Sequence, residues 1–171
     1  MKQKILIFLL MLFSFGVYSQ KTAQDYLHSG NAKLETKDYS GAIADFNRVI
    51  EFNDSFAAIA YSNRAICKSD IGDFKGAIED YTKAMNLNPA YKVATTYYNR
   101  GFNKGKLGDY TGALQDYNKA IELDSSMAYA YYNRGFAKYR LGNLKGACSD
   151  WRKAQELGDS SAGDLLRNYC N

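Results

Sequence analysis

The chain has 171 residues, 46% of them hydrophobic and 23% charged, with a single proline. That composition fits a folded protein and excludes collagen-like and low-complexity chains. Aromatic residues make up 15% of it, tyrosine alone occurring 15 times, and burying such large side chains offsets chain entropy, which argues against disorder. One histidine and three cysteines leave little material for a multi-ligand zinc site or a histidine-based catalytic group, and a formal charge of +4 is not that of a nucleic-acid binder.

Residues 1–19 read as an address. Lys2 and Lys4 make a short basic start, and the apolar run from Ile5 to Val17 is broken only by Ser14 and Gly16. A membrane-spanning helix needs about 20 apolar residues, so this run falls short. Val17-Tyr18-Ser19 then place small or moderate residues before a cut at Gln20. The pattern predicts a secretory signal peptide, with a retained membrane anchor as the alternative. Its removal takes two of the 22 basic residues and none of the 18 acidic ones, leaving a net charge of +2. The expectation is an exported chain, periplasmic or secreted if bacterial, with no stable membrane insertion once the signal is removed and no nucleic-acid partner.

The remainder repeats. Tyr39-Ser40-Gly41-Ala42-Ile43-Ala44-Asp45-Phe46 returns as Phe74-Lys75-Gly76-Ala77-Ile78-Glu79-Asp80-Tyr81, then as 110–117 and 144–151, with alanines at 42, 77, 113 and 147 spaced by 35, 36 and 34. A second block recurs as Ser62-Asn63-Arg64-Ala65, Tyr98-Asn99-Arg100-Gly101 and Tyr132-Asn133-Arg134-Gly135. These units resemble the tetratricopeptide repeat (TPR), a pair of antiparallel helices that stacks into a superhelix. The resemblance covers about residues 23 to 161, in units of about 23–56, 58–91, 94–127 and 128–161. It implies an all-α fold, a TPR α-solenoid of four helix-turn-helix repeats, with residues 162–170 as a short C-terminal capping helix. No second domain is read after residue 20.

The recurrent positions carry physical reasons of their own. Tyr26, Tyr61, Tyr97 and Tyr131 stand four residues before Gly30, Ala65, Gly101 and Gly135, which puts a large anchor and a small residue on one helix face. Gly72-Asp73, Gly108-Asp109 and Gly142-Asn143 supply a left-handed cap followed by a helix-capping side chain, whereas the first repeat has Lys37-Asp38. Ala42, Ala77, Ala113 and Ala147 lead by four residues to Phe46, Tyr81, Tyr117 and Trp151, and three further to Val49, Ala84, Ala120 and Ala154. Small, aromatic, small at i, i+4, i+7 is one core-facing stripe. Each stripe needs its neighbours to be buried, so the repeats share one continuous core. Leu165, Leu166 and Tyr169 are expected to close the last repeat while Asp164, Arg167 and Asn168 face water.

Arg64, Arg100 and Arg134 form a column, with Lys68, Lys104 and Lys138 four residues on and Lys33 at the matching place in repeat one. Such a ladder would suit an acidic ligand, but internal pairing with Asp80, Asp116 and Asp150 is the favoured reading, with Asp45 left to Lys33 or to solvent. Cys148 and Cys170 are either bridged, stapling the solenoid end, or two reduced side chains packed together; an exported compartment favours the bridge. Cys67 is expected to be a buried small side chain. His28, the lone histidine, has no catalytic company, and no phosphate-binding glycine motif, CxxC or nucleophile elbow is present. The expectation is no enzyme activity, no cofactor and no metal.

In the TPR family the first helices line a concave groove, and residues one and five past the anchor tend to face it. Carried over, these are Leu27 and Asn31, Ser62 and Ile66, Tyr98 and Phe102, Tyr132 and Phe136. Tyr129 and Tyr139 share the last of these helices, Lys106 and Arg140 stand near the rim, and Asn63, Asn99 and Asn133 precede the arginines. The C-terminal half is thus strongly aromatic with a basic rim, and aromatic side chains dominate binding hot spots. Packing within the solenoid is the competing role for these rings. The lysine–asparagine pattern with which family members clamp a peptide carboxylate is absent apart from Asn31. The resemblance implies a non-enzymatic scaffold or adaptor that binds a peptide or helix of another protein in this groove, or alternatively a self-associating structural module of an envelope assembly.

Overall fold

The computed structural model describes residues 21–52, 55–91 and 93–170; the segment read as a signal peptide lies outside them. Among these residues the chain forms α1 (Ala23–Glu35), α2 (Tyr39–Phe52), α3 (Ala57–Asp70), α4 (Phe74–Leu87), α5 (Ala94–Lys106), α6 (Tyr110–Leu123), α7 (Ala128–Arg140), α8 (Leu144–Glu156) and the short α9 (Ala162–Tyr169). A single 3-10 turn, Pro89–Tyr91, follows α4, where proline ends the helix. Each helix packs on the next in chain order, and α9 packs on α8. This is an all-α solenoid of four helix-turn-helix repeats with a short capping helix.

Local chemistry explains the boundaries. Thr22 and Asp25 open α1 as a capping box, each side chain bonding the other's backbone N–H. Asp73, Asp109 and Asn143 accept from the backbone N–H three residues on, at 2.8–2.9 Å, and open α4, α6 and α8. The preceding glycines, Gly72, Gly108 and Gly142, have φ of +82 to +85°. In the first repeat Lys37 adopts the same left-handed region at φ 61°, so the turn keeps its shape without glycine.

The second helices carry the core. Ala42, Ala77, Ala113 and Ala147, with Phe46 and Trp151, are fully buried, and Tyr81 and Tyr117 nearly so. Tyr26, Tyr61, Tyr97 and Tyr131 are only half-buried. Three of them lie under the guanidinium of their own repeat's arginine, Arg64 on Tyr61 at 5.1 Å, Arg100 on Tyr97 at 5.7 Å and Arg134 on Tyr131 at 5.2 Å. The first-helix anchors therefore leave core volume to other rings.

Every repeat pairs its buried aspartate. Arg64, Arg100 and Arg134 reach Asp80, Asp116 and Asp150 through two bonds each, at 2.7–2.9 Å, and Lys68, Lys104 and Lys138 add a third contact at 2.7–2.8 Å. In repeat one Asp45 accepts from both Ser29 and Lys33 at 2.6 Å. Burial pushes the Asp45 carboxyl up, but those two bonds outweigh it and hold it below its usual range. The cation ladder is thus occupied internally.

At the C-terminal end, α9 lays Ala162, Leu165 and Leu166 on the cluster of Ala147, Trp151 and Ala154, while Asp164, Arg167 and Asn168 are exposed. A disulfide joins Cys148 on α8 to Cys170 beyond α9, 22 residues apart. Cys67 is free and buried, and burial pushes its thiol up to about 11. No described helix is long and apolar enough to cross a membrane.

Candidate functional site

The first helices α3, α5 and α7 present two adjoining hollows that share Phe102 as a wall. The first, about 110 Å³, lies among α5, α6 and α7 and is lined by Phe102, Lys106, Tyr110, Tyr117, Asn133 and Phe136. Its rim is built from cations on rings: Lys106 lies 5.0 Å from the Phe102 centroid, and Arg140 lies 4.5 Å from Tyr110 and 5.9 Å from Phe136. Stacking holds both charges over the rings while leaving them exposed to an incoming group. Phe136 itself is 41% exposed, a large apolar surface at the centre of the aromatic half.

The second hollow, about 250 Å³, lies among α3, α4 and α5, where Ile66, Asp70, Tyr81, Tyr98 and Asn103 join Phe102. Tyr98 is the hinge between packing and groove. Its ring meets Tyr129 edge-on at 4.5 Å and Tyr117 at 5.8 Å, and its hydroxyl accepts from Asn133 Nδ2 at 3.0 Å. Burial pushes the Tyr98 hydroxyl up to about 12, so it remains a neutral donor and acceptor at any physiological pH.

The asparagine column ties neighbouring elements together. Asn63 donates to Asn31 Oδ1 at 2.8 Å, Asn133 donates to Tyr98 and to the Tyr129 carbonyl, and Asn99 bonds the Tyr81 hydroxyl. Tyr132 and Tyr139 stand apart from both hollows. They pack on the Trp151 cluster, where the Tyr132 carbonyl accepts from Trp151 Nε1 at 3.2 Å and the Tyr139 ring lies 5.0 Å from Tyr169. Of the residues expected at the groove, the structure brings together Tyr98, Phe102, Lys106, Tyr129, Phe136, Arg140, Asn99 and Asn133. Sequence reasoning missed Tyr110, Asp70 and Asn103. A signal existed for the first, an aromatic at the opening of a second helix, facing the arginine that closes the next first helix.

Profiles of known families match two separate stretches: one described as TPR repeat over residues 106–142, and one described as tetratricopeptide repeat over 58–91. The second coincides with the α3–α4 hairpin, and the first spans α6 and α7, the second helix of one repeat and the first helix of the next. The chain carries tetratricopeptide repeats. Among solved structures, this TPR solenoid is similar to MamA, with 24% identity and a TM-score of 0.74 over 83% of this chain and 81% of that one. It is also similar to the first TPR of Spaghetti (RPAP3) bound to HSP90 peptide SRMEEVD, with 29% identity and a TM-score of 0.62 over 68% and 92% of the two chains. Among curated proteins, 70 residues are 37% identical to heat shock protein STI1 of Saccharomyces cerevisiae, covering 41% of this chain and 12% of that protein. Sperm-associated antigen 1 of Rattus norvegicus matches at 32% identity over 72 residues, 42% of this chain and 8% of that protein. The TPR chain thus spans about an eighth or less of the curated relatives it matches.

One expectation is corrected by these matches. The periplasmic or secreted location read from residues 1–19 finds no support in the repeated likeness to MamA, and it is withdrawn. At this level of identity the MamA likeness carries the fold, and no other location takes the place of the first. Among the described residues no group of three or more His, Cys, Asp or Glu could hold a metal ion.

Proposed function

We propose that this TPR module is a non-enzymatic scaffold that holds a peptide or helix of a partner protein against the aromatic C-terminal half of its groove. One observation carries the reading: Phe102 and Phe136 flank a hollow whose rim cations, Lys106 and Arg140, are held on rings and make no ion pair among the described residues, unlike the arginines and lysines of the buried ladder. An aromatic patch with exposed cations suits an apolar segment carrying an acidic residue. The peptide-bound Spaghetti TPR supports groove binding in general. The carboxylate-clamp pattern is absent here, so its mode of holding a peptide end is not carried over. Pull-down with wild type beside a Phe102→Ala, Phe136→Ala variant of unchanged helicity tests the reading: a partner retained by the first and lost by the second supports it, and equal capture by both removes it.

Self-association as a structural module is the second reading, and the comparisons favour it over the first. The MamA solenoids match over about four-fifths of both chains, more of this chain than the peptide-bound TPR does. An observation on this chain also supports it. At one repeat position the residues run Glu35, Asp70, Lys106, Arg140, all exposed, so the rim is acidic in the first two repeats and basic in the last two. Two copies laid antiparallel would meet with opposite charges under a two-fold axis. Light scattering decides the matter. A dimer weakened by salt, lost on Lys106→Glu with Arg140→Glu, and restored by mixing with a Glu35→Lys, Asp70→Lys chain supports this reading; a monomer at all concentrations leaves the groove to another protein.

A further inference from the structure

We infer that the hollow among α3, α4 and α5 receives a lysine or arginine side chain from a partner protein segment. The inference rests on groove binding and adds the chemistry of the occupant. Its wall carries the exposed carboxylate of Asp70, which accepts from the Tyr39 hydroxyl, and no lysine or arginine is among the described residues that line it. Three rings line the same hollow: Tyr81, Tyr98 and Phe102. A carboxylate among aromatic faces is the combination that binds a cation on a flexible stem, the rings taking the stem and the charge edge, the carboxylate the N–H groups.

Two residues set this hollow apart from the same place in other repeats. The position of Asp70 is held by Lys106 and Arg140 further along, so complementary charge on a bound segment changes sign between the two hollows. The position of Asn103 is Ala32, Cys67 and Ala137 elsewhere. Asn103 is 1% exposed, and its Nδ2 donates to the Asn99 carbonyl at 2.7 Å while its Oδ1 has no hydrogen-bond partner among the described residues. A buried acceptor without a donor is unfavourable for the solenoid and raises the negative potential beneath the hollow. Packing alone would place a small apolar residue there, as it does in the other repeats. A segment with a basic residue in this hollow and an acidic one beside Lys106 and Arg140 satisfies both halves of the groove.

The test measures fluorescence polarisation of labelled nonapeptide pools, acetylated and amidated, with lysine, arginine, glutamate or norleucine fixed at the centre of random sequence. The full chain is expected to bind the lysine and arginine pools about fivefold more tightly than the norleucine pool, the upper end of what a half-exposed ion pair supplies. Asp70→Asn, a surface change that leaves folding intact, is expected to remove that preference. Asn103→Leu is expected to reduce it while the chain melts no lower than wild type. A lower melting temperature in Asn103→Leu with the preference intact would make Asn103 a packing residue and overturn its part. Equal binding of all pools overturns the inference and leaves groove binding standing, whereas binding of no pool overturns both. Sedimentation as a dimer that excludes every pool assigns the hollow to a second copy and overturns it as well.

Discussion

Arg100 on α5 holds both carboxylate oxygens of Asp116 on α6, through Nε at 2.9 Å and a terminal nitrogen at 2.7 Å, and Lys104 takes one of the same oxygens at 2.7 Å. Asp116 is nearly buried, so this two-cation clamp fixes the angle between the helices of a repeat as well as pairing charge. The same triad recurs in the second and fourth repeats, and it consumes the cations that a ligand-binding ladder would have offered. Asp116→Ala leaves two cations of α5 side by side at the helix seam without their carboxylate. It is expected to cost about 3 kcal/mol, seen as a lower denaturation midpoint by circular dichroism. Replacing Arg100, Lys104 and Asp116 together by leucine is expected to recover most of that loss.

Gly135 is the tightest helix crossing in the last repeat. A Cβ built there would lie 2.6 Å from Trp151 Nε1 and 3.2 Å from the Ala147 carbonyl. Gly135→Val is expected to displace the indole from the Tyr132 carbonyl it bonds, costing about 1–3 kcal/mol. The only tryptophan reports it directly, as a red-shifted emission at unchanged helicity.

Repeat one holds a carboxylate whose pairing ties stability to pH. The Asp45 carboxyl is held below its ordinary value of 3.8 by Lys33 and Ser29, against the upward push of burial. A depressed carboxylate contributes stability that is fully present above its unfolded pKa and is lost as pH falls through the folded one. A Ser29→Ala, Lys33→Met variant is therefore expected to be less stable than wild type at pH 7. The difference should shrink as pH falls below 3.8 and through the lowered folded value, as thermal melts across that range would show.

Most of the architecture was legible because its determinants are local and repeat in register. Ala113, Tyr117 and Ala120 lie on one stripe, Gly108-Asp109 marks a turn, and each needs only its own helix to be read. The Arg100–Asp116 pairing was legible for the same reason, since both ends recur together. The site was legible only in part. Tyr132 and Tyr98 occupy equivalent positions, yet Tyr132 packs against Trp151 and Tyr98 opens onto a hollow. Tyr98 also meets Tyr129 of the following first helix, whereas the last repeat is followed by the capping helix. Asn103 and Asp70 were missed because neither is conspicuous in sequence; what marks them is burial without a partner and the company of three rings.

The staple at the C-terminal end has its own consequence. The Cys148–Cys170 bridge closes a loop of 22 residues over the Trp151 cluster, a constraint worth roughly 3 kcal/mol by chain-entropy reckoning. Reduction, or Cys170→Ser, is expected to lower the melting temperature and to raise hydrogen exchange first in α9 and α8. Protection in α1 to α4 should be almost unaffected, because each repeat contacts only its neighbours.

The central claim is that the aromatic half of the groove is the face that meets a protein. Photo-crosslinking tests it most directly, with benzoylphenylalanine placed either at Phe136 in the groove or at the exposed Glu79 on α4, in cells of the source organism. The account predicts a discrete crosslinked species, another protein or a second copy of this chain, from position 136 and none from position 79. Crosslinks from position 79 alone would contradict it and move the binding surface to the second helices.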